Sequence, residues 1–146
     1  MSAEASLETT PEARKKLIGL LFERIITHGE LELADEIFHE DFYWPQFDLR
    51  GPDGVRTWVR NFRTAFPDVI DTVQEQYAEG DVVVTRVALT GTQLGPYLGM
   101  PPTGRSARWT ATGIDRFRGG KVIERTALFD PLALMKQLGH TSITLV

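Results

Sequence analysis

The sequence contains no cysteine, which excludes disulfides, thiolate metal sites and a cysteine nucleophile. It also lacks the composition of a disordered or membrane-spanning chain, since 42% of its 146 residues are hydrophobic and 25% are charged. Stability must therefore come from packing alone, and a chain of this length suits one domain with its own core.

Positive charge is not in excess. The 16 Lys and Arg residues are scattered among 20 Asp and Glu, and the net charge is −4. Binding to a phosphate backbone requires a basic patch, so we expect no nucleic-acid partner. The three histidines lack the spacing of metal ligands, and glycine-rich phosphate-binding motifs are missing. We therefore expect no metal and no nucleotide cofactor.

The first ten residues are small and polar, without the basic start and apolar run of a signal peptide. We expect residues 1–10 to be a flexible N-terminus, residues 11–140 to form the single domain, and residues 141–146 to be a C-terminal tail. The default location is the cytoplasm, without membrane contact.

Helical spacing of apolar residues predicts three helices in the first half of the chain. The first begins at Thr10 and Pro11, which suit an N-cap and the first helical position. A short second helix is expected over residues 33–38. The third covers residues 55–66 and follows a turn at residues 50–54.

The second half changes to period-two alternation rich in β-branched residues, which predicts long strands. An aromatic strand-like segment at residues 41–47 precedes them, and a short helix over residues 131–138 follows. The four long strands are residues 69–78, 82–92, 107–118 and 121–129. Short glycine-containing links predict antiparallel pairing, and helices covering one face of such a sheet make an α+β fold.

Several short motifs carry a family resemblance, and the most distinctive is the loop Leu98–Arg105, LGMPPTGR. The others are Gly51–Val55, Phe66–Asp68, Ala78–Asp81, Gly113–Arg118, Gly120–Glu124 and Gln137–Gly139. Over about residues 12–139 the chain resembles the SnoaL-like polyketide cyclases of the NTF2-like superfamily. The resemblance implies a cone-shaped α+β barrel with N-terminal helices packed on a strongly curved antiparallel sheet. It also implies a pocket for a hydrophobic small molecule, and a homodimer formed through the outer face of the sheet.

In cyclases of this family, a cofactor-free aldol closure rests on an aspartate of the last strand, and the matching position here is Ala127. The partner position on the preceding strand, often histidine, is Asp115, and the polar position two residues before it is Gly113. The AclR-type hydroxylases of anthracycline pathways resemble the cyclases but lack their acid/base set. We therefore expect an enzyme that tailors aromatic polyketides by a step such as hydroxylation, cofactor-free or with a partner reductase.

Strand alternation identifies a candidate catalytic pair. It places Asp115 on the inward face of its strand and brings Arg125 of the last strand close to it. Such a pair would keep the carboxylate ionised and orient a polar group of the substrate, or it could be a purely structural salt bridge. Asp130 is a third candidate, although Asp followed by Pro131 also fits the N-cap of the last helix.

Aromatic side chains supply flat surfaces for a planar polycyclic ligand. The candidate substrate-binding residues are Tyr43, Trp44, Phe47, Trp58, Phe62, Trp109 and Phe129. Trp58 and Phe62, at helical spacing, also fit the hydrophobic core. Arg86 and Asp71 are reserve candidates, because each interrupts an apolar strand pattern.

Three other functions are compatible with the same residues. The first is an aldol cyclase. The second is an epoxide hydrolase resembling the limonene-epoxide enzymes of the superfamily, with Asp115, Arg125 and Asp130 as its polar set. The third is a non-catalytic ligand-binding or dimerisation module, which Ala127 favours because an alanine exchanges no proton.

Overall fold

The computed structural model describes residues 9–141. Residues 1–8 of the expected N-terminal segment and residues 142–146 of the expected tail lie outside the described residues. Helix α1 spans Pro11–Leu20, and its N-cap is Thr10, whose Oγ1 accepts a hydrogen bond from Ala13 N at 3.1 Å. The helix continues as a π-helical segment, Leu21–Ile26. The predicted start of this helix is therefore confirmed.

The second helix is shorter than predicted. A 3-10 turn at Leu31–Leu33 leads into α2, Ala34–Ile37, and strand β1 begins at once and covers Phe38–Trp44. Phe38 was expected in the helix, but it is fully enclosed in the core as the first residue of the strand. The prediction failed because an apolar residue at this position satisfies both the helical and the strand pattern.

The third helix begins earlier than predicted. After a 3-10 turn at Pro45–Phe47 and the two-residue strand β2, Leu49–Arg50, helix α3 spans Gly51–Ala65. Residues 51–54 were expected in a turn, but they form the first helical turn. Proline is well tolerated there because the first N–H groups of a helix have no internal partner, and the acidic Asp53 complements the helix dipole.

Six strands form one sheet, in the order β2-β1-β6-β5-β4-β3. The four long strands are β3 Ile70–Glu79, β4 Val82–Thr92, β5 Ser106–Arg118 and β6 Lys121–Phe129. These four pair antiparallel, as predicted, but β1 runs parallel to β6. The sheet is thus mixed at this edge, because β1 reaches β6 from the helical half of the chain and not through a hairpin.

Irregularities in register bend the sheet. Pairing shifts between Val73 and Glu75 on β3 and between Arg116 and Phe117 on β5. Such bulges increase local twist and bending, which lets a sheet curl around its contents. The concave face packs against α1, the π-helical segment and α3, and most of the buried hydrophobic residues lie between these layers. This is the α+β architecture that the sequence predicts.

Helix α4, Pro131–Gln137, follows β6 and closes one end of the sheet. Its Leu134 and Met135 are buried, as is Leu138 just beyond it. Within residues 9–141, no helix combines the length and apolarity needed to cross a bilayer.

Candidate active site

A cavity of about 60 Å³ lies between the helical layer and the concave face of the sheet. Six of the aromatic residues expected to contact a ligand line it: Trp44, Phe47, Trp58, Phe62, Trp109 and Phe129. Two charged side chains, Asp71 and Arg125, are also part of its wall. The cavity is thus an apolar space with a very small polar set.

The aromatic side chains fill much of this interior by packing on one another. Trp58 and Phe62 stack with their ring centroids 4.9 Å apart, and Trp44 lies 5.2 Å from Trp58. Pockets for drug-sized ligands typically have volumes of roughly 300–1,000 Å³. A polycyclic ligand therefore requires these rings to separate before it can enter.

Asp115 and Arg125 form the ion pair that strand alternation predicts. They are directly opposed across β5 and β6, and Arg125 Nη1 donates to Asp115 Oδ1 at 2.7 Å and to Oδ2 at 2.6 Å. Asp115 is completely buried and is not part of the cavity wall, whereas Arg125 is. Burial raises the pKa of Asp115, and the charge and hydrogen bonds of Arg125 oppose that rise. The carboxylate thus lies behind the guanidinium and holds it in place.

The Arg125 guanidinium is also held by two aromatic rings. Its central carbon lies 5.2 Å from the ring centroid of Phe22 and 5.3 Å from that of Trp44, within cation–π range. Its Nε atom is buried and has no hydrogen-bond partner among residues 9–141. A cation fixed on three sides, with hydrogen-bond donors that have no partner in the described chain, is suited to bind an oxygen atom of a ligand.

Asp71 is the second charged group of the cavity wall. It lies on β3 and is 3% exposed, and its Oδ1 atom has no hydrogen-bond partner within the described part of the chain. Burial raises the pKa of Asp71 to about 8; the Arg125 charge lowers it and the Glu23 charge raises it. The side chain is therefore predominantly a neutral carboxylic acid at neutral pH, which can donate a proton.

Ala127 also lines the cavity, so the strand position that matches the cyclase aspartate does face the interior. Its backbone is fixed by Gln46, whose Oε1 accepts from Ala127 N at 2.6 Å and whose Nε2 donates to Ala127 O at 2.7 Å. The methyl side chain has no proton to exchange. Any proton transfer in this cavity would have to involve another residue.

Three predicted site residues lie away from the cavity. The Tyr43 ring packs under the Arg50 guanidinium at 4.1 Å, outside the cavity wall. Arg86 is exposed and pairs with Glu75 at 3.3 Å. Asp130 caps helix α4, since its Oδ1 accepts a hydrogen bond from Ala133 N at 3.0 Å. Asp130 therefore occupies the N-cap position that its Asp-Pro sequence also predicts.

Tyr97 also lines the cavity, although helix and strand patterns do not predict it. It lies in the loop between β4 and β5, and its ring packs against Phe62 and Phe66 with centroids 5.7 and 5.2 Å apart. Burial raises the pKa of the Tyr97 hydroxyl, which therefore stays protonated. The available signal in the sequence was an isolated tyrosine in a Gly- and Pro-rich loop.

The polar groups of the cavity support proton transfer and the binding of an oxyanion. A neutral carboxyl and a fixed guanidinium in apolar surroundings can polarise a carbonyl group and stabilise negative charge that develops on its oxygen. Within residues 9–141, no three His, Asp or Glu side chains are placed to hold a metal ion.

Comparison with known proteins identifies relatives over nearly all of the described chain. The sequence matches the SnoaL-like polyketide cyclase family over residues 16–138. It is 31% identical over 118 residues to the aklanonic acid methyl ester cyclase DnrD of Streptomyces peucetius. The aligned region covers 77% of this chain and 81% of the relative.

Solved structures share the architecture. TsrD from Streptomyces laurentii has a TM-score of 0.84 and 26% identity, covering 90% of this chain and 98% of its own. AclR from Streptomyces galilaeus, a proposed hydroxylase, has a TM-score of 0.74 and 27% identity, covering 89% and 98%. Sequence and architecture agree, and the chain belongs to the SnoaL-like polyketide cyclase family.

Proposed function

We propose that this protein closes a ring in an aromatic polyketide by an intramolecular aldol reaction. The observation that carries the proposal is the Arg125 guanidinium, which Asp115 fixes in the wall of an apolar cavity. Negative charge develops on the enolate oxygen when the nucleophile loses its proton, and on the ketone oxygen when the new bond forms. A fixed cation in surroundings that exclude water stabilises this charge strongly.

The reaction is balanced without any further reagent. A carbon flanked by carbonyl groups attacks a ketone carbon of the same molecule, and a carbon–carbon bond forms as the carbon–oxygen π bond opens. One proton leaves the nucleophile, and one is added to the new alkoxide oxygen. The product is an isomer of the substrate, so this reaction needs no partner reductase.

The relatives favour cyclisation over the hydroxylation expected from the sequence. DnrD is named as a cyclase of aklanonic acid methyl ester, and the matching family is one of polyketide cyclases. Hydroxylation is the second candidate, because AclR shares the fold at 27% identity. It adds an oxygen atom and requires an oxidant, whereas the aldol reaction uses only the proton donor and the cation of this cavity.

Epoxide hydrolysis is less well supported by the site. That reaction, as expected from the resemblance, uses two carboxyl groups that reach the ligand. Both oxygens of Asp115 are occupied by Arg125, and Asp130 caps a helix outside the cavity. Among residues 9–141, Asp71 is the one carboxyl group in the cavity wall.

The experiment is to incubate the purified protein with aklanonic acid methyl ester and to follow the products by chromatography and mass spectrometry. Ring closure gives an isomer of unchanged mass. Hydroxylation adds the mass of one oxygen atom, and hydrolysis adds that of one water. Saturable binding of the ester without conversion would favour the non-catalytic binding module and overturn the proposal.

A pair of variants tests the role of the cation. Arg125→Met removes the charge but keeps much of the side-chain volume, and we expect kcat to fall by about 100-fold or more. Arg86→Met is the matched control, because Arg86 is exposed and lies outside the cavity. Equal turnover by both variants would contradict the assigned role of Arg125.

The homodimer expected from the family remains a proposal. Large apolar side chains are exposed on the sheet, with Ile70 at 55%, Tyr77 at 62% and Leu128 at 54%. Exposed apolar area of this kind favours association. We expect light scattering at micromolar concentration to give the mass of two chains, and a monomer would contradict the proposed interface.

A further inference from the structure

We propose that Asp71 is the catalytic acid that moves the proton during ring closure, supplied from β3 in place of an acid/base group at Ala127. This inference rests on the aldol function proposed above. In that reaction Asp71 donates its proton to the ketone oxygen under attack and later takes the proton that the nucleophile releases.

The position of Asp71 satisfies the geometric requirement for this role. Strand β3 pairs Asp71 with Leu89 of β4, and both residues face the cavity that Arg125 also lines. The backbone is fixed at this point, because Asp71 N donates to the Thr27 hydroxyl at 3.0 Å. A carboxyl on a rigid strand, in the same wall as the fixed cation, can reach the same ligand.

The unused oxygen of Asp71 is a second, independent observation. Its Oδ1 atom is buried and unpartnered among residues 9–141, as is Nε of Arg125. A buried polar atom without a partner is destabilising, so such atoms are rare in native proteins. Two of them, on two residues that line one apolar cavity, indicate a place for the oxygen atoms of a ligand.

Burial, and not the neighbouring charges, favours the neutral form of Asp71. Burial among apolar groups disfavours ionisation most strongly, and Glu23 on the π-helical segment adds to this effect, while Arg125 on β6 opposes it. Asp115 lies behind Arg125, paired with it. Because burial raises the pKa of Asp71 to about 8, the carboxyl is ready to donate a proton at neutral pH.

Asp71 gives up one proton in this step and recovers one. As the new carbon–carbon bond forms, the ketone oxygen gains the proton of Asp71 and becomes the aldol hydroxyl. The enol hydroxyl of the nucleophile becomes a carbonyl and gives its proton to the Asp71 carboxylate, while Arg125 stabilises the negative charge that develops on the ketone oxygen under attack. Asp71 starts and ends the cycle protonated.

The test uses the full chain with aklanonic acid methyl ester as the probe. For Asp71→Asn we expect kcat to fall by about 100-fold or more, with KM changed only a few-fold. For the wild type we expect kcat to decrease above about pH 8, where Asp71 loses its proton. Glu75→Gln, on the exposed side of the same strand, is the matched control and keeps wild-type turnover.

A rescue experiment separates catalysis from a structural role. The double variant Asp71→Asn/Ala127→Asp returns a carboxyl to the same cavity wall, and we expect it to regain part of the lost kcat with a shifted pH profile. If the loss of activity came from a structural defect at position 71, a substitution on another strand would not restore it. Circular dichroism checks that each variant is folded.

The outcomes distinguish this inference from the function on which it rests. If the wild type does not convert the ester, the aldol function fails, and the role of Asp71 fails with it. If the wild type and Asp71→Asn turn over equally while Arg125→Met is inactive, the function stands and Asp71 is excluded. A wild-type profile that is flat across pH 8 also overturns the inference.

Discussion

A side chain at position 113 would occupy the same space as the guanidinium of Arg125. A Cβ atom added to Gly113 would lie 2.7 Å from Arg125 Nη2 and 3.0 Å from Nη1. Arg125 cannot easily withdraw, because Asp115 holds Nη1 and the rings of Phe22 and Trp44 flank the group. Glycine at position 113 and arginine at position 125 therefore depend on each other.

The first prediction concerns Gly113→Ala. The added methyl group should displace Arg125 and lower kcat/KM for aklanonic acid methyl ester by up to about 100-fold, since a shift of roughly 1 Å in a catalytic group has effects of this size. Steady-state kinetics measure it. The control is Gly19→Ala in helix α1, where nothing lies within 4 Å of the added Cβ and activity should be unchanged. Equal activity of the two variants would show that Arg125 adjusts freely.

The second prediction concerns the ion pair. Asp115→Ala leaves a buried guanidinium without its counterion, and we expect the free energy of unfolding to fall by about 3–5 kcal/mol. Asp115→Leu combined with Arg125→Met removes both charges and should cost clearly less. Urea unfolding followed by circular dichroism gives both values. If the double variant were no more stable than Asp115→Ala, the ion pair would contribute more to stability than the mutual neutralisation of two buried charges.

Much of this site follows from strand alternation. The phase of β5 and β6 predicts that Asp115 and Arg125 meet on the inward face, and they do. Alternation does not predict, however, which of two inward side chains reaches the cavity and which is buried behind the other. Arg125 is long enough to extend past the carboxylate into the cavity, which leaves Asp115 behind it, away from any ligand.

The strand pattern marks Asp71 as a reserve candidate, but it does not predict that Asp71 and Arg125 share one cavity wall. Its strand lies three places from β6 in the sheet, and only the bending of the whole sheet brings Asp71 and Arg125 into one wall. Bulges decide that bending, and they are set by tertiary packing. The position of Tyr97 in the cavity was not predicted for a related reason. Tyr97 lies in a loop, where side-chain periodicity gives no information.

The third prediction concerns the pH dependence of stability. The folded protein raises the pKa of Asp71 from 3.8 to about 8, so folding favours the protonated form and unfolding releases a proton between these values. The contribution of Asp71 to stability is therefore largest at low pH and is lost as pH rises. The slope is at most about 1.4 kcal/mol per pH unit.

Asp71→Asn isolates this effect, because asparagine is neutral at every pH. The free energy of unfolding of the variant minus that of the wild type should increase between pH 5 and pH 8. The subtraction removes groups with the opposite trend, such as Asp68, whose pKa is lowered by hydrogen bonds from Thr92. Urea titrations at several pH values measure the difference. A difference that is constant with pH would mean that Asp71 is ionised throughout.

The last prediction decides between capping and catalysis at Asp130. Its carboxylate accepts from Ala133 N and satisfies one of the free N–H groups at the start of α4, so Asp130→Ala should lower stability by about 1 kcal/mol. Asp130→Ser keeps an N-cap acceptor but has no acidic proton, and it should retain nearly all of the stability. Both variants should turn over aklanonic acid methyl ester at the wild-type rate, because Asp130 is outside the cavity wall. A stable but inactive Asp130→Ser would return the acid/base role to the end of β6, and the assignment of Asp71 would then have to be abandoned.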